Sequence, residues 1–573
     1  MCSSDLLLYL ALVLPTISRY GVSWDEEVDL GISRSYQTGP GDWFHGLSVD
    51  ASQARLPMYL LALVHHLDGP GDLRAGRQLS VLMGGLTLLA VFVFGCREMD
   101  PRTGVLASLL LATSPFFLSF ARVALTESDI FVTCSLAWVL VCFATLMRER
   151  DVASCLVAGV ALGLAISCKF SALSLLPLGL LILLGRRATT GTQGNGPSAR
   201  TSRILLAGPA LLLALIATAW CVSWRMDGAF SHATIVCEWL CLVALWVALI
   251  VILAVRRDER PDAARGGLFV AGLAVATFML FPPVHTTNPG ILLELARRAV
   301  RAMPVHLSSM RDVALFHAGC VFFKSSPLVG AGLIGAAAAA ARQWRTRPPV
   351  RLLLLASALY FAFLIRMPIA QTFYMMPLLP VLALLAADQV SCLHRVNRRA
   401  AVPIVLGSFG LLAADLIRCY PDYNLNGYQY VGVRRLAGRS TLGYRGIVQV
   451  TTDGVQQTLE WTRARALAGQ TVVTYILAPH IVRAICPHPA FRLEDGMLGS
   501  PEILADADYV VIGINAEITD DRGPPPATGE IFRLPYDETY LKEHFQPVFT
   551  VDRAFGLRVA SVWRRRDGVV LDR

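Results

Sequence analysis

Between residue 3 and residue 418 the chain returns repeatedly to apolar runs long enough to cross a lipid bilayer, and beyond residue 418 such runs stop. A hydrocarbon core of about 30 Å needs roughly 20 helical residues to cross it. Inside it every backbone N–H and C=O must be satisfied within the segment, so these runs are read as helices. The spans fall near 3–19, 77–96, 104–121, 127–146, 152–167, 170–185, 204–222, 234–255, 266–281, 326–341, 351–366, 371–387 and 400–418. The expectation is a polytopic α-helical membrane protein of about 13 transmembrane helices. With 54% hydrophobic and 16% charged residues, the composition departs from the roughly 25% charged residues of a soluble domain.

The charges assign sides to these spans. Lys and Arg gather in short cytoplasmic loops, and here every second loop is basic. Arg97 and Arg102 form the first group, Arg148 and Arg150 the second, Arg186 to Arg203 the third, and Arg256 to Arg265 the fourth. Arg342 to Arg351 and Arg395 to Arg399 complete the series. A cytoplasmic N-terminus then places the carboxylates of "GVSWDEEVDLG" (21–31) and the whole C-terminal tail on the outer side. The net charge of +9 is explained by basic loops against anionic lipid, which argues against a nucleic-acid partner. Thirteen cysteines, mostly within spans, read as small apolar fillers rather than a disulfide framework. Cys419 and Cys486 are the pair that could meet outside. No small-residue cleavage site precedes the acidic loop, so the first span reads as a retained anchor.

The segment 20–76 is a long first outer loop. It carries "ARLPMYLLALVHHL", too short to span but apolar enough to lie in the membrane interface. The stretch "TGTQGNGPSART" around 190–202 is a polar, Gly-rich linker. From 419 to 573 the pattern changes to short β-rich runs, at 446–452, 471–477, 508–514 and 557–563, with a helical stretch at 454–468. This predicts an extramembrane α/β domain.

Ionisable residues at membrane depth are costly and mark a site by default. Asp25 and Glu26 in the first outer loop, and Glu127 in the tight "ARVALTESD" turn, belong to the same outer level as Arg55, Arg77, Arg122 and Lys169. The plainer alternatives are an Arg122–Glu127 pair fastening one turn and a snorkelling Lys169. One chemistry uses the whole set. Transfer of a sugar from a lipid phosphate needs one carboxylate base for the incoming nucleophile and cations for the departing phosphate. Unlike glycoside hydrolysis, no second carboxylic acid has to protonate the leaving group. Arg offers a bidentate fork and Lys a compact point charge. His285, His306, His317 and Lys324, in the outer segment 282–325, are candidates for acceptor or phosphate contacts, with ordinary surface placement as the alternative.

Several stretches together resemble the GT-C glycosyltransferases of the protein O-mannosyltransferase and aminoarabinose transferase type, which use polyprenyl-phosphate sugars. "WDEEVDLGISRSYQTGPGDW" resembles that family's acidic motif and its "GDW" segment. "QARLPMYLL" resembles its phosphate-binding stretch, "ARVALTESDIF" its second acidic position, "SCKFSALSLLPL" its Lys segment and "FYMMPLLPVLALLAAD" its late Tyr, Leu-Pro, Leu-Pro helix. The likeness implies a GT-C fold for residues 1–418, with Asp25 as catalytic base and Glu26 its partner. It implies that Arg55, Arg122, Glu127, Lys169 and Tyr374 serve the lipid-phosphate donor. It further implies a multi-pass protein of the bacterial inner membrane, with the 419–573 domain periplasmic. The partners implied are a polyprenyl-phosphate-sugar donor, a protein, lipid or glycan acceptor, and membrane lipid. No cofactor is required, since cations can balance the phosphate; a divalent cation, Mg²⁺ or Mn²⁺, is compatible with the carboxylates. In the tail, "TTDGVQQ" departs from the family's "DWGQ"-like motif, which leaves Asp453 and Gln456 without an assigned role. The rival readings are a lipid or solute transporter or flippase and an inactive GT-C-like scaffold.

Overall fold

The computed structural model describes residues 3–17, 56–58, 60–61, 64, 73–123, 129–184, 266, 270–274, 277, 310–344, 346–366, 372–420, 454–475, 482, 489–495, 501–513, 538–553 and 557–566. The described residues are mostly helical. Among them, twelve helices come from the apolar region: α1 (Ser3–Val13), α2 (Leu73–Phe94), α3 (Pro101–Ala112), α4 (Pro115–Ala121), α5 (Asp129–Glu149), α6 (Val152–Cys168), α7 (Leu176–Leu184), α8 (Met310–Lys324), α9 (Pro327–Arg342), α10 (Pro348–Arg366), α11 (Leu379–Val396) and α12 (Arg398–Cys419). Among the described residues five helices are long and apolar enough to cross a membrane, or six if the bent pair α3–α4 is one span. The expected spans 204–222 and 234–255 lie outside the described residues, as do most positions of 266–281.

Several expected spans are not single straight α-helices; that at 371–387, for one, opens as the 3-10 turn Thr372–Leu378. The run expected at 104–121 bends by 67° between α3 and α4. Pro115 opens α4, where its missing N–H costs nothing, and Ser114 caps the helix by accepting from Phe117 N at 3.4 Å. The run expected at 170–185 opens as a 3-10 turn, Phe170–Leu175, and only then becomes the nine-residue α7. Hydropathy cannot register either break, because the residues on both sides are equally apolar.

The helices share one continuous buried core. On α6, Gly159 and Gly163 face the helical residues Val270, Leu273, Ala274 and Thr277 at close contact. A Cβ on Gly163 would stand 2.5 Å from Thr277 Cβ and 2.6 Å from Ala274 O. Small residues spaced by four let membrane helices approach in this way.

One end of the bundle is laced by ion pairs from the basic loops. Arg148 binds Glu98 at 3.2 Å and Glu149 at 3.1 Å, and Arg97 reaches Glu149 at 3.5 Å. Arg395 pairs with Asp100, Arg102 contacts His394 at 3.1 Å and Thr103 donates to Ser391 at 3.0 Å. Arg347 grips Asp388 with both prongs, at 2.6 and 2.8 Å. The ends of α2, α5 and α11, and the start of α3, therefore meet at one level.

The C-terminal residues form a five-stranded mixed sheet in the order β2-β1-β3-β5-β4. Its strands are β1 (Thr471–Tyr475), β2 (Arg492–Asp495), β3 (Tyr509–Gly513), β4 (Phe545–Arg553) and β5 (Leu557–Arg565), and two helices flank them, α13 (Val455–Arg463) and α14 (Glu538–His544). β1 is parallel to β2 and β3, while β5 is antiparallel to β3 and β4. Val472, Val511 and Val562 pack with Val455 and Leu459 of α13 on one face. Val473, Val510 and Ile512 pack with Leu541 and Phe545 on the other. Central strands covered on both faces read as unbroken apolar runs, and β1, β3 and β5 coincide with three of the expected runs. The fourth, 446–452, lies outside the described residues. β2 and β4 were not anticipated. Both are edge strands, β2 being polar ("RLED") and β4 carrying Pro547 beside a register shift, the positions where a strand signal is weakest.

Candidate functional site

Helix direction decides what faces the end of the bundle opposite the ion pairs. The C-termini of α1, α4, α6, α8 and α12, and the N-termini of α2, α9 and α11, lie there. The 3-10 turn Thr372–Leu378, which leads into α11, packs against α4, α5, α8, α10 and α11, so it is the hub of this end.

Lys169 ends α6 in an extended conformation, φ −163° and ψ 136°, with its N–H bonded to Ala165 O at 3.0 Å. This break directs the side chain out of the helix, and Nζ stands 4.1 Å from the centroid of the Tyr374 ring. Tyr374 belongs to the hub turn, and its carbonyl accepts from Tyr360 Oη of α10 at 3.2 Å. An ammonium over a tyrosine face is worth about 0.5–2 kcal/mol, more as water is excluded. Two residues assigned separately from the sequence, Lys169 and Tyr374, are thus one unit.

Arg122 follows α4 and has no solvent exposure. Arg77 is also buried and donates to Ile17 O at 2.6 Å, tying the start of α2 to the end of α1. That contact is a structural one. Leu56, Met58 and Leu61 of the interfacial stretch are buried. Asp25, Glu26, Arg55 and Glu127 lie outside the described residues, as do His285, His306 and Cys486.

His317 and Lys324 are not on the surface. They lie on the buried stripe of α8, 0% and 4% exposed, with Cys320 between them. That spacing of three and four places all three on one helix face. Burial pushes the Lys324 ammonium down to about 8, countered in part by the neighbouring Cys320 and Cys419 thiols. His317 meets Phe316 edge to face at 5.4 Å.

This end also holds buried hydroxyls. Thr133 of α5, Ser171 and Ser174 of the turn after Lys169, and Ser325 after Lys324 have buried oxygens with no hydrogen-bond partner among the described residues. Each such group costs about 1–3 kcal/mol. Sequence reasoning did not single them out, because serine in an apolar helical run is common and only burial makes it notable. Among the described residues no group of three or more His, Cys, Asp or Glu is arranged to hold a metal ion.

Two solved structures are similar over nearly all of the chain. ArnT from Cupriavidus metallidurans bound to undecaprenyl phosphate is 14% identical, covers 98% of each chain and superposes with a TM-score of 0.44. The archaeal oligosaccharyltransferase AglB from Archaeoglobus fulgidus, in complex with an inhibitory peptide and a dolichol-phosphate, is 13% identical with a TM-score of 0.44, over 100% of this chain and 74% of that one. At this overlap neither fixes residue correspondences. No curated protein matches the sequence. Residues 52–224 match the family described as "Dolichyl-phosphate-mannose-protein mannosyltransferase", and this segment contains Arg55, Arg122, Glu127 and Lys169. Residues 52–224, about a third of the chain, are therefore similar to the protein mannosyltransferase family.

Proposed function

We propose that this protein is an inverting glycosyltransferase that moves one sugar from a polyprenyl-phosphate carrier to a hydroxyl or amine acceptor. The observation that carries the reading is the Lys169–Tyr374 unit, with Nζ 4.1 Å from the ring centroid. It sits at the end of the bundle away from the ion-paired loops, inside or beside the family segment. The opposite end is saturated with carboxylate–guanidinium pairs, whereas this one presents cations and buried hydroxyls, the groups a phosphosugar headgroup requires.

In this reading Asp25 takes the proton of the acceptor, which attacks the anomeric carbon opposite the phosphate and inverts it. Glu26 supports Asp25. Arg55 and Lys169 hold the carrier phosphate, Tyr374 sets the position of Lys169, and Arg122 with Glu127 shapes the turn beside them. Cations balance the leaving phosphate, so no divalent metal is required. The reaction face is periplasmic, in a bacterial inner membrane, because the basic loops lie at the other end. Residues 1–418 form the membrane domain of about 13 spans, and 419–573 an extramembrane α/β domain that covers the cavity or recruits the acceptor.

The test is transfer of radiolabelled sugar by purified protein from a panel of polyprenyl-phosphate sugars. Asp25→Asn abolishes turnover with carrier binding retained. Lys169→Met raises the donor KM about 10- to 100-fold, the loss of one charge-assisted contact of 1.5–3 kcal/mol. Tyr374→Leu costs about 2- to 30-fold through the lost cation–π contact, and Tyr374→Phe much less. Full turnover by the Asp25 variant would end the assignment.

A further inference from the structure

The turn between α8 and α9 is not absorbed by the contacts assigned above. It reads Lys324-Ser325-Ser326-Pro327, and Lys324, Ser325 and Ser326 are 4%, 3% and 1% exposed. Ser326, the residue before α9, has φ 68° and ψ 135°, a backbone region costly for a residue with a side chain. Its side chain does not cap α9, and Ser325 Oγ has no hydrogen-bond partner among the described residues. The hairpin is tight as well, since a Cβ on Gly330 would stand 2.5 Å from Phe322 Cα and O. A desolvated ammonium, a buried hydroxyl without a partner among the described residues and the N-terminus of a sixteen-residue helix therefore follow one another along this turn. Such an N-terminus offers unpaired N–H groups and a positive dipole end to an anion. The turn ends the helix that packs on the hub turn carrying Tyr374.

We infer that the Lys324–Ser325 turn is a phosphate site that engages the carrier phosphate as it leaves the sugar. The inference rests on the glycosyl-transfer reading. In that reaction the bond from the anomeric carbon to the phosphate oxygen breaks, and its electron pair stays on that oxygen. The acceptor forms the new bond at the anomeric carbon, and its proton passes to Asp25. The phosphate goes from a diester with one negative charge to a monoester approaching two. A cation serving only the ground state is already matched by Lys169, whereas a second one gains most as the extra charge develops. Binding that strengthens along the reaction raises kcat rather than lowering KM. Burial lowers the Lys324 ammonium to about 8, and a phosphate dianion beside it favours the charged form.

Three variants of the full-length protein test this: Lys324→Met, Lys324→Arg and Ser325→Ala. Methionine keeps the volume of the lysine stem without its charge, so a purely structural lysine gives a variant at least as stable as the wild type. The expected result for Lys324→Met is a roughly 10- to 100-fold fall in kcat, with a matching rise in the inhibition constant of undecaprenyl phosphate, the size of one charge-assisted contact. The donor KM stays within about twofold, since the ground-state diester is held elsewhere. Lys324→Arg recovers part of the loss, and Ser325→Ala weakens product binding by several-fold. If Lys324→Met does not fold, the other two variants decide.

Binding of undecaprenyl phosphate and of inorganic phosphate, read by thermal shift, forms a separate arm that needs no turnover. A response to the lipid alone assigns the site to the carrier headgroup; an equal response to inorganic phosphate assigns it to phosphate as such. Unchanged kcat and unchanged product affinity in all three variants of an active enzyme overturn the inference and leave the transfer reading intact. A wild type that transfers no sugar from any carrier overturns the transfer reading. In that case a phosphate response lost in Lys324→Met still upholds a phosphate site, and no response removes it.

Discussion

The clasp between Arg347 and Asp388 offers a quantitative test of how the bundle is held. Asp388 lies on α11, with only 2% of its side chain exposed, while Arg347, just before α10, is 27% exposed. Two parallel hydrogen bonds of 2.6 and 2.8 Å join them, and Gln343 accepts a further bond from Arg347 at 3.0 Å. Replacing Arg347 with Met leaves a carboxylate buried without its counter-charge, which costs about 3–5 kcal/mol for a fully buried pair. Arg347 is about a quarter open to solvent, so the lower figure of about 3 kcal/mol applies. Replacing Asp388 with Leu instead leaves an arginine that can swing its head to water along an apolar stem, at a cost of about 1–2 kcal/mol. In the double variant neither charge is buried alone, and stability returns to within about 1 kcal/mol of the wild type. The assay is thermal unfolding of purified protein in detergent at pH 7, where a loss of 3 kcal/mol lowers Tm by at least about 5 °C. The ordering R347M below D388L, and D388L at or below the double variant, is the signature. Equal losses in the two single variants, or a double variant as unstable as R347M, would refute the account of Asp388 as the desolvated partner.

Two further predictions concern helix contact and acid response. Gly163→Ala is destabilising by about 1–3 kcal/mol, the range for overpacking, although alanine is the better helix former by about 1 kcal/mol; a higher melting temperature for this variant would remove the close approach of α6 to Ala274 and Thr277. Asp100 caps α3 by accepting from Arg102 N at 2.8 Å, and this bond, with the Arg395 pair, holds its carboxyl below the usual carboxylate range. A lowered carboxyl contributes stability above its unfolded pKa of about 4 and loses it as pH falls through the folded value. Asp100→Asn keeps the cap and therefore costs less than about 1 kcal/mol at pH 7, because Arg395 is half exposed. The gap in Tm between variant and wild type closes as the pH drops below about 4, and a gap independent of pH would mean that the charge plays no part.

The succession of long apolar helices, the alternation of basic loops and, among the described residues, the approximate ends of several helices were legible from residue order alone. Hydropathy is a local sum, and a helix in lipid satisfies its own backbone, so a run of apolar residues dictates its structure without knowing its neighbours. The same holds for β1, β3 and β5, whose apolar runs announce strands covered on both faces. What tertiary structure decided involves pairs and burial. The bend at Ser114–Pro115 and the 3-10 entry after Lys169 are invisible to composition, yet the second swings Lys169 onto a tyrosine from a distant helix. Arg347 and Asp388 are unremarkable at opposite ends of two spans until packing desolvates one of them. Lys324 and Ser325 looked like loop residues, and only the close pairing of α8 with α9 turned them into a buried cation followed by a buried hydroxyl. A charge's chemistry depends on the dielectric and partners around it, and in this chain those are supplied by residues far away in sequence.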